Sequence, residues 1–281
     1  MRIEKAAKTG FCFGVRRAVN ILEKIAREHG GVETLGAVVH NEQVLQRLAG
    51  IGVRVAKGLE DIKGDIVATS SHGVTPELEE KIRARHFEVI STTCPFVRRA
   101  QVAARRLAES GFFVVVYGDV DHPEVKGILG WAKDRGVATV DEKFMAEFDR
   151  LPRRLGILSQ TTQIPAHFAE FAKKVIDCAM TKDSEIRIID TICHDIRERQ
   201  AAAVELAGRV DLMLVVGGRS SANTNRLAEL CATADRTYLV ETAEEIQTSW
   251  LKGRNSIGIT AGASTDEQTV DEVLTRLNAI S

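Results

Sequence analysis

One short pattern constrains this chain more than any other feature: Cys-x-x-[Val/Ile]-Arg occurs three times, at residues 12–16, 94–98 and 193–197. Each copy follows an extended or turn-like run (2–10, 87–93, 185–192) and opens a stretch of helical periodicity at 15–27, 97–109 and 196–208. The likeness continues downstream. His40, His122 and Ser221 each stand 28 residues beyond their cysteine, and each closes a β-rich run at 35–39, 113–117 and 212–216. A further strand in every third ends in a small polar loop at 70–73, 159–162 and 260–265. Another helical stretch then starts near Pro76, Pro165 and Asp266.

Self-similarity on this scale means a repeated supersecondary unit. Alternating strands and helices of these lengths predict parallel sheets covered by helices. The fold expected is α/β: three similar αβα units, 1–94, 95–192 and 193–281, in a pseudo-three-fold arrangement around a central cavity. Ligands of parallel sheets gather beyond the carboxyl ends of the strands, and every residue singled out here lies at that end. Of the five cysteines, Cys178 and Cys231 fall in apolar helical stretches outside the pattern and are expected in the core.

Composition narrows the compartment and the partners. The 281 residues are 44% hydrophobic and 27% charged, as a globular chain with a real core should be. A formal charge of −1 points to neither nucleic acid nor a membrane surface as partner, and no apolar run is long enough to span a bilayer. The first residues lack a secretory h-region, so a cytoplasmic monomer is expected, in which thiols stay reduced. There, cysteines serve as metal ligands, catalytic groups or small core residues.

Cys12, Cys94 and Cys193 each precede a helix, where free N–H groups and the helix dipole favour the thiolate. Three converging thiolates make a soft site for zinc or an iron–sulfur cluster. A structural zinc usually takes four protein ligands with a close Cys pair, and no such pair exists. Three widely spaced cysteines fit better a four-iron cluster whose fourth iron is left open for substrate. Around the same strand ends stand His40, His72, His122, Ser221, Asn223, Thr224 and Ser264. Imidazoles, hydroxyls, an amide and a Gly-rich helix start at 217–224 imply a compact anion such as phosphate or diphosphate. Glu124, two residues after His122, reads equally as an acid complementing a helix dipole or as a proton donor beside substrate. Thr161 and Thr162, in the matching loop, could supply a hydroxyl relay. His194 could tune a neighbouring ligand. His29, His86 and His167 belong on the surface.

These residues resemble the 4-hydroxy-3-methylbut-2-enyl diphosphate reductase (LytB) family over essentially the whole chain. The likeness rests on Gly10-Phe11-Cys12-Phe13-Gly14-Val15, Val39-His40-Asn41, Ser71-His72-Gly73, Thr93-Cys94-Pro95 and His122-Pro123-Glu124. Gln160-Thr161-Thr162, Thr191-Ile192-Cys193, Ser221-x-Asn223 and the run from Thr260 to Thr265 complete it. The resemblance implies one [4Fe–4S] cluster on Cys12, Cys94 and Cys193 with an open apical iron. It implies a substrate diphosphate held by His40, His72, His122, Ser221, Asn223 and Ser264, with Thr161 near the substrate hydroxyl and Glu124 as proton donor. Electrons would come from a protein such as ferredoxin or flavodoxin, and the products would be isopentenyl and dimethylallyl diphosphate, the last step of the non-mevalonate pathway. Three positions depart from the usual pattern: Ala222 lacks a serine hydroxyl, Asp266 replaces a frequent proline, and His194-Asp195 are larger than the residues often found there. A quinolinate synthase-like enzyme, which also draws one cluster cysteine from each of three αβ units, is the nearest rival. A non-catalytic iron–sulfur sensor is another. The close three-cysteine motif of radical SAM enzymes is absent.

Overall fold

Each sheet of the protein is built around a central strand pair that is largely buried, flanked by two more exposed edge strands. The computed structural model describes residues 1–133, 135–147, 152–180, 183–234 and 236–280. In chain order the elements are β1 (Arg2–Lys5), α1 (Phe13–His29), β2 (Val32–Leu35), α2 (Glu42–Gly50), β3 (Val53–Ala56), β4 (Ile66–Thr69), α3 (Pro76–Ala84) and β5 (Glu88–Ile90). The middle of the chain forms α4 (Pro95–Glu109), β6 (Phe113–Tyr117), α5 (Pro123–Trp131), β7 (Gly136–Thr139), β8 (Arg154–Ser159), α6 (Pro165–Ala179) and β9 (Glu185–Ile189). The last part gives α7 (His194–Ala207), β10 (Leu212–Val216), α8 (Ala222–Leu230), β11 (Arg236–Val240), α9 (Thr248–Leu251), β12 (Ser256–Ala261) and α10 (Glu267–Ile280).

These strands form three four-stranded sheets, ordered β3-β2-β4-β5, β7-β6-β8-β9 and β11-β10-β12-β1, with every pairing parallel. Parallel sheets need both faces covered, and alternation in the central strands achieves this. In β6, Val114 and Val116 pack with Ala104 and Ile128 on one face, while Val115 and Tyr117 pack with Phe168 and Phe171 on the other. In β10, Leu212, Leu214 and Val216 face one core, and Met213 and Val215 the opposite one.

The three-unit α/β fold is therefore as expected, with one correction of membership. A linear division puts residues 2–5 in the first unit, but β1 pairs with β12 in the third sheet, from Arg2 opposite Ser256 to Lys5 opposite Ile259. The rule is cyclic. The strand that precedes each cysteine (β1, β5, β9) closes the sheet of the unit before it, and the strand before Cys12 closes the third. A second difference concerns the run 35–39: the strand is Val32–Leu35, and Val38 and Val39 are buried in the loop that follows. This sharpens the repeat, since His40, His122 and Ser221 each lie five residues beyond the end of β2, β6 and β10.

Candidate active site

Each cysteine is the N-cap residue of its helix: Cys12 for α1, Cys94 for α4 and Cys193 for α7. The backbone N–H of each donates to the second polar loop of the sheet it leaves, Cys12 to Ala263 O (3.0 Å), Cys94 to Ser71 O (3.0 Å) and Cys193 to Thr161 O (2.9 Å). Three equivalent hydrogen bonds thus aim three thiols into one cavity of about 690 Å³, mouth included, lined by all three cysteines. Contact is close enough to dictate a glycine. A Cβ on Gly14 would stand 2.5 Å from Cys94 Sγ and 4.0 Å from Cys12 Sγ.

The thiols differ from expectation in one respect. Burial raises their pKa, that of Cys94 to about 11, and outweighs the lowering by backbone N–H groups of the helix starts. Without a metal they are neutral thiols, and a soft cation must displace their protons. No fourth cysteine joins them. Cys231 is buried against Ala203, where its Sγ donates to the carbonyl, whereas Cys178 is exposed on α6 rather than in the core as expected.

His40, His72 and His122 meet in the same cavity, with ring centroids 4.7, 5.4 and 5.3 Å apart and one nitrogen from each within 4.8 Å of the others. Such a trio could serve a metal ion or an anion, and His122 favours the anion. Its Nδ1 accepts from Glu124 N (3.2 Å), capping α5, so its proton sits on Nε2 as a donor. A metal would need a lone pair there. Burial lowers all three pKa values, that of His122 to about 4, with mutual repulsion lowering His72 further. The trio is neutral and poised to gain charge beside an anion.

The third unit completes this clamp at the start of α8, whose N-cap is Ser221. Asn223 is 4% exposed, yet neither its amide nitrogen nor its oxygen has a partner, and His40 Nε2 is likewise buried and unpaired. Buried polar atoms are nearly always satisfied, so these mark where a polar ligand binds. Ser264 Oγ lies 3.5 Å from His40 O, a donor contact that joins third and first units. Gly218 approaches the same carbonyl so closely that a Cβ would come within 2.7 Å of it. Asn41, adjacent to His40, instead caps α2 by accepting from Val44 N.

Both readings of Glu124 find their residue in place. It lies in the first turn of α5 and is 2% exposed, but its carboxylate does not cap that helix. It accepts from Thr161 N (2.6 Å) and Thr161 Oγ1 (2.8 Å) across the cavity wall. Burial raises its pKa, although both Thr161 bonds and the charge of Arg226 oppose the rise. The result is a buried carboxyl held towards its protonated form, facing three thiols. Thr162 lines the same cavity, and its Oγ1 accepts from Arg226 (3.2 Å).

Arg226 is the residue that sequence reasoning missed. From α8 it reaches the second unit and donates to Gln163 Oε1 (2.9 Å) and Gln160 Oε1 (3.4 Å) as well as Thr162. It therefore ties the anion clamp to the loop that holds Glu124. Arg199 was missed too: 1% exposed on α7, it donates to Gly10 O and Ala261 O (both 2.9 Å), fixing the loop before Cys12. His194 lies outside the site, exposed and 3.1 Å from Glu198. His29, His86 and His167 are exposed as expected. Asp266 does more than start a helix. It caps α10 through Thr269 N and pairs with Arg47 of the first unit.

The family model described as LytB protein matches residues 3–278. The chain belongs to the LytB family. Relatives named 4-hydroxy-3-methylbut-2-enyl diphosphate reductase include one from Dehalococcoides mccartyi, 62% identical over all of this chain and 99% of its own length. Another, from Geobacter metallireducens, is 44% identical over all of this chain and 98% of its own. A solved structure of (E)-4-hydroxy-3-methyl-but-2-enyl diphosphate reductase, titled the terminal enzyme of the non-mevalonate pathway, is 38% identical. It superposes with a TM-score of 0.73 over 99% of this chain and all of that one. The Plasmodium falciparum E-1-hydroxy-2-methyl-but-2-enyl-4-diphosphate reductase, at 25% identity, gives 0.91 over 99% of this chain and 87% of its own. These LytB structures share the architecture described above.

Proposed function

We propose that this LytB protein removes the hydroxyl of 4-hydroxy-3-methylbut-2-enyl diphosphate reductively, yielding isopentenyl and dimethylallyl diphosphate and water. One observation carries the reading: a single cavity combines three thiols, a protonatable buried carboxyl and anion-binding groups that lack partners. The thiols suit a [4Fe–4S] cluster with three protein ligands, held by Cys12, Cys94 and Cys193. Bound there, such a cluster supplies reducing electrons and one open, Lewis-acidic iron for the substrate oxygen.

The protein's own groups do the rest. His40, His72 and His122 donate to the diphosphate, with Ser221, Asn223, Ser264 and the free N–H groups at the start of α8. Their placement fixes the reacting end of the substrate towards Cys12, Cys94 and Cys193. Glu124 delivers a proton to the departing hydroxyl, so that water rather than hydroxide leaves, and a second proton added at either end of the two-electron-reduced allyl group gives the two products. Thr161 holds the Glu124 carboxyl and passes its proton through Oγ1. Ala222 removes a hydroxyl from the clamp, and the backbone N–H groups of the helix start carry that share.

The test is anaerobic reconstitution with iron and sulfide, followed by turnover with reduced methyl viologen and the hydroxylated diphosphate. Isopentenyl diphosphate should accumulate. A protein with full cluster content that forms none would end this reading.

A further inference from the structure

Two arginines of the repeated motif, Arg16 and Arg197, and two that directly follow a motif arginine, Arg17 and Arg99, have no part in the reaction, yet they stand near an exposed aromatic ring beside the thiols. Phe13 directly follows Cys12 and is 56% exposed, an unusual setting for a ring that size. It meets Phe96 edge to face, centroids 6.4 Å apart, and Phe96 also lines the cavity. The pair runs from the cavity wall to solvent. Four arginines come from the starts of α1, α4 and α7, the three helices that the cysteines cap. Arg16 donates to Phe11 O (3.2 Å) and Arg17 to Thr93 O and Ser91 O (both 3.4 Å), on either side of the cysteine loops. Arg99 stands over the Phe96 ring at 5.9 Å and donates to Asp190 O (3.4 Å), while Arg197 pairs with the Asp190 carboxylate. Arg98, the motif arginine of the second unit, is turned away onto Trp131, and Arg99 stands near the aromatic pair instead. A groove lined by Pro95, Arg99, Arg106 and Arg187 continues the positive surface along α4.

We propose that Phe13, together with Arg16, Arg17, Arg99 and Arg197 of the same three helix starts, forms the docking surface for an acidic one-electron carrier protein, a small iron–sulfur or flavin protein. This rests on the reading of the three cysteines as cluster ligands. An apolar centre within a charged rim is the anatomy of a protein interface. The excess of cations, in a chain whose formal charge is −1, selects an acidic partner and speeds its approach. The location selects a redox partner, because Phe13 and Phe96 lie one and two residues from Cys12 and Cys94. Each encounter oxidises the carrier by one electron and reduces the group held by the thiols by one, and two encounters supply one turnover. A small, transient contact of this kind suits the size of the patch.

The experiment compares two electron sources on the cluster-loaded protein: reduced methyl viologen, which needs no docking, and an acidic flavodoxin or ferredoxin. Arg99→Glu and Phe13→Ala should keep iron, sulfide and viologen-driven turnover within about threefold. Carrier-driven kcat/KM should fall at least about tenfold, and its wild-type value should drop with added salt. Equal losses with both donors, or no loss with the carrier, would overturn the proposal. So would a dimer that Phe13→Ala abolishes while carrier-driven turnover stays unchanged, which would assign the face to a second copy. Cluster-loaded wild type that turns over with neither donor would instead refute the functional reading beneath it.

Discussion

At Gly14 a single hydrogen stands where any other side chain would meet a thiol. Its backbone is not strained, so the requirement is one of space: a Cβ there would lie 2.5 Å from Cys94 Sγ and 3.1 Å from Cys94 Cβ. Gly14→Ala should leave the fold intact by circular dichroism but turn Cys94 out of the cavity, and reconstituted iron per chain should drop sharply. Full iron content would show that the thiol has room to spare. At Glu124 the two Thr161 bonds and the burial suit the proposed proton donor, and Glu124→Gln tests it with little change of shape. We expect substrate affinity and cluster content to persist while turnover falls about 10²-fold or more. Unchanged turnover would remove Glu124 from the reaction. The sequence exposed Glu124 and the cysteines because each sits in a local motif. It hid Arg226, because a guanidinium that crosses between units has partners 63 to 66 positions away.

Elements matter here mainly by where they stop. Helix starts at Pro123 and Ala222 and the loops after β2, β4 and β12 deliver the groups of the proposed anion clamp. The histidines in those loops are neutral because burial depresses their pKa, His122 to about 4. An anion pulls these values back up, so the complex holds more protons than the free protein. Diphosphate binding at a pH of about 7 should therefore take up protons, and affinity should rise as pH falls towards the histidine range. Calorimetry in two buffers of different ionisation enthalpy measures the uptake; a value of zero would show that the trio stays neutral on binding. Element boundaries were partly legible. Helix starts after cysteine and before proline were read correctly within two residues. The strand β2 was misread by three, because Val38 and Val39, at most 1% exposed, give a buried loop the same apolar signature as a strand.

Across the whole molecule, the cyclic handover of edge strands makes the three units interdependent. Parallel sheets with both faces covered could be inferred from alternating apolar strands and helices. The membership of β1 could not, because the repeat pattern describes each third of the chain and says nothing about which sheet takes the first strand. Its position has an outcome that can be measured. Removing residues 1–5 strips β1 from the edge of β12 and frees the loop that Arg199 and Ala263 hold in front of Cys12. Such a truncation should fail to retain iron although all three cysteine ligands are present. Full retention would mean that the backbone contacts of Cys12 suffice by themselves.

The same strand also sets a timetable. Residues 2–5 are synthesised long before the strand they pair with, Arg2 opposite Ser256, so they must wait unpaired while the other two sheets form. The backbone partner of Cys12, the carbonyl of Ala263, emerges later still. Until then two thiols can be held in register and the third cannot. A nascent chain arrested before the third sheet is made holds Cys12 without its backbone anchor, and so lacks one of the three thiol positions of the proposed cluster site.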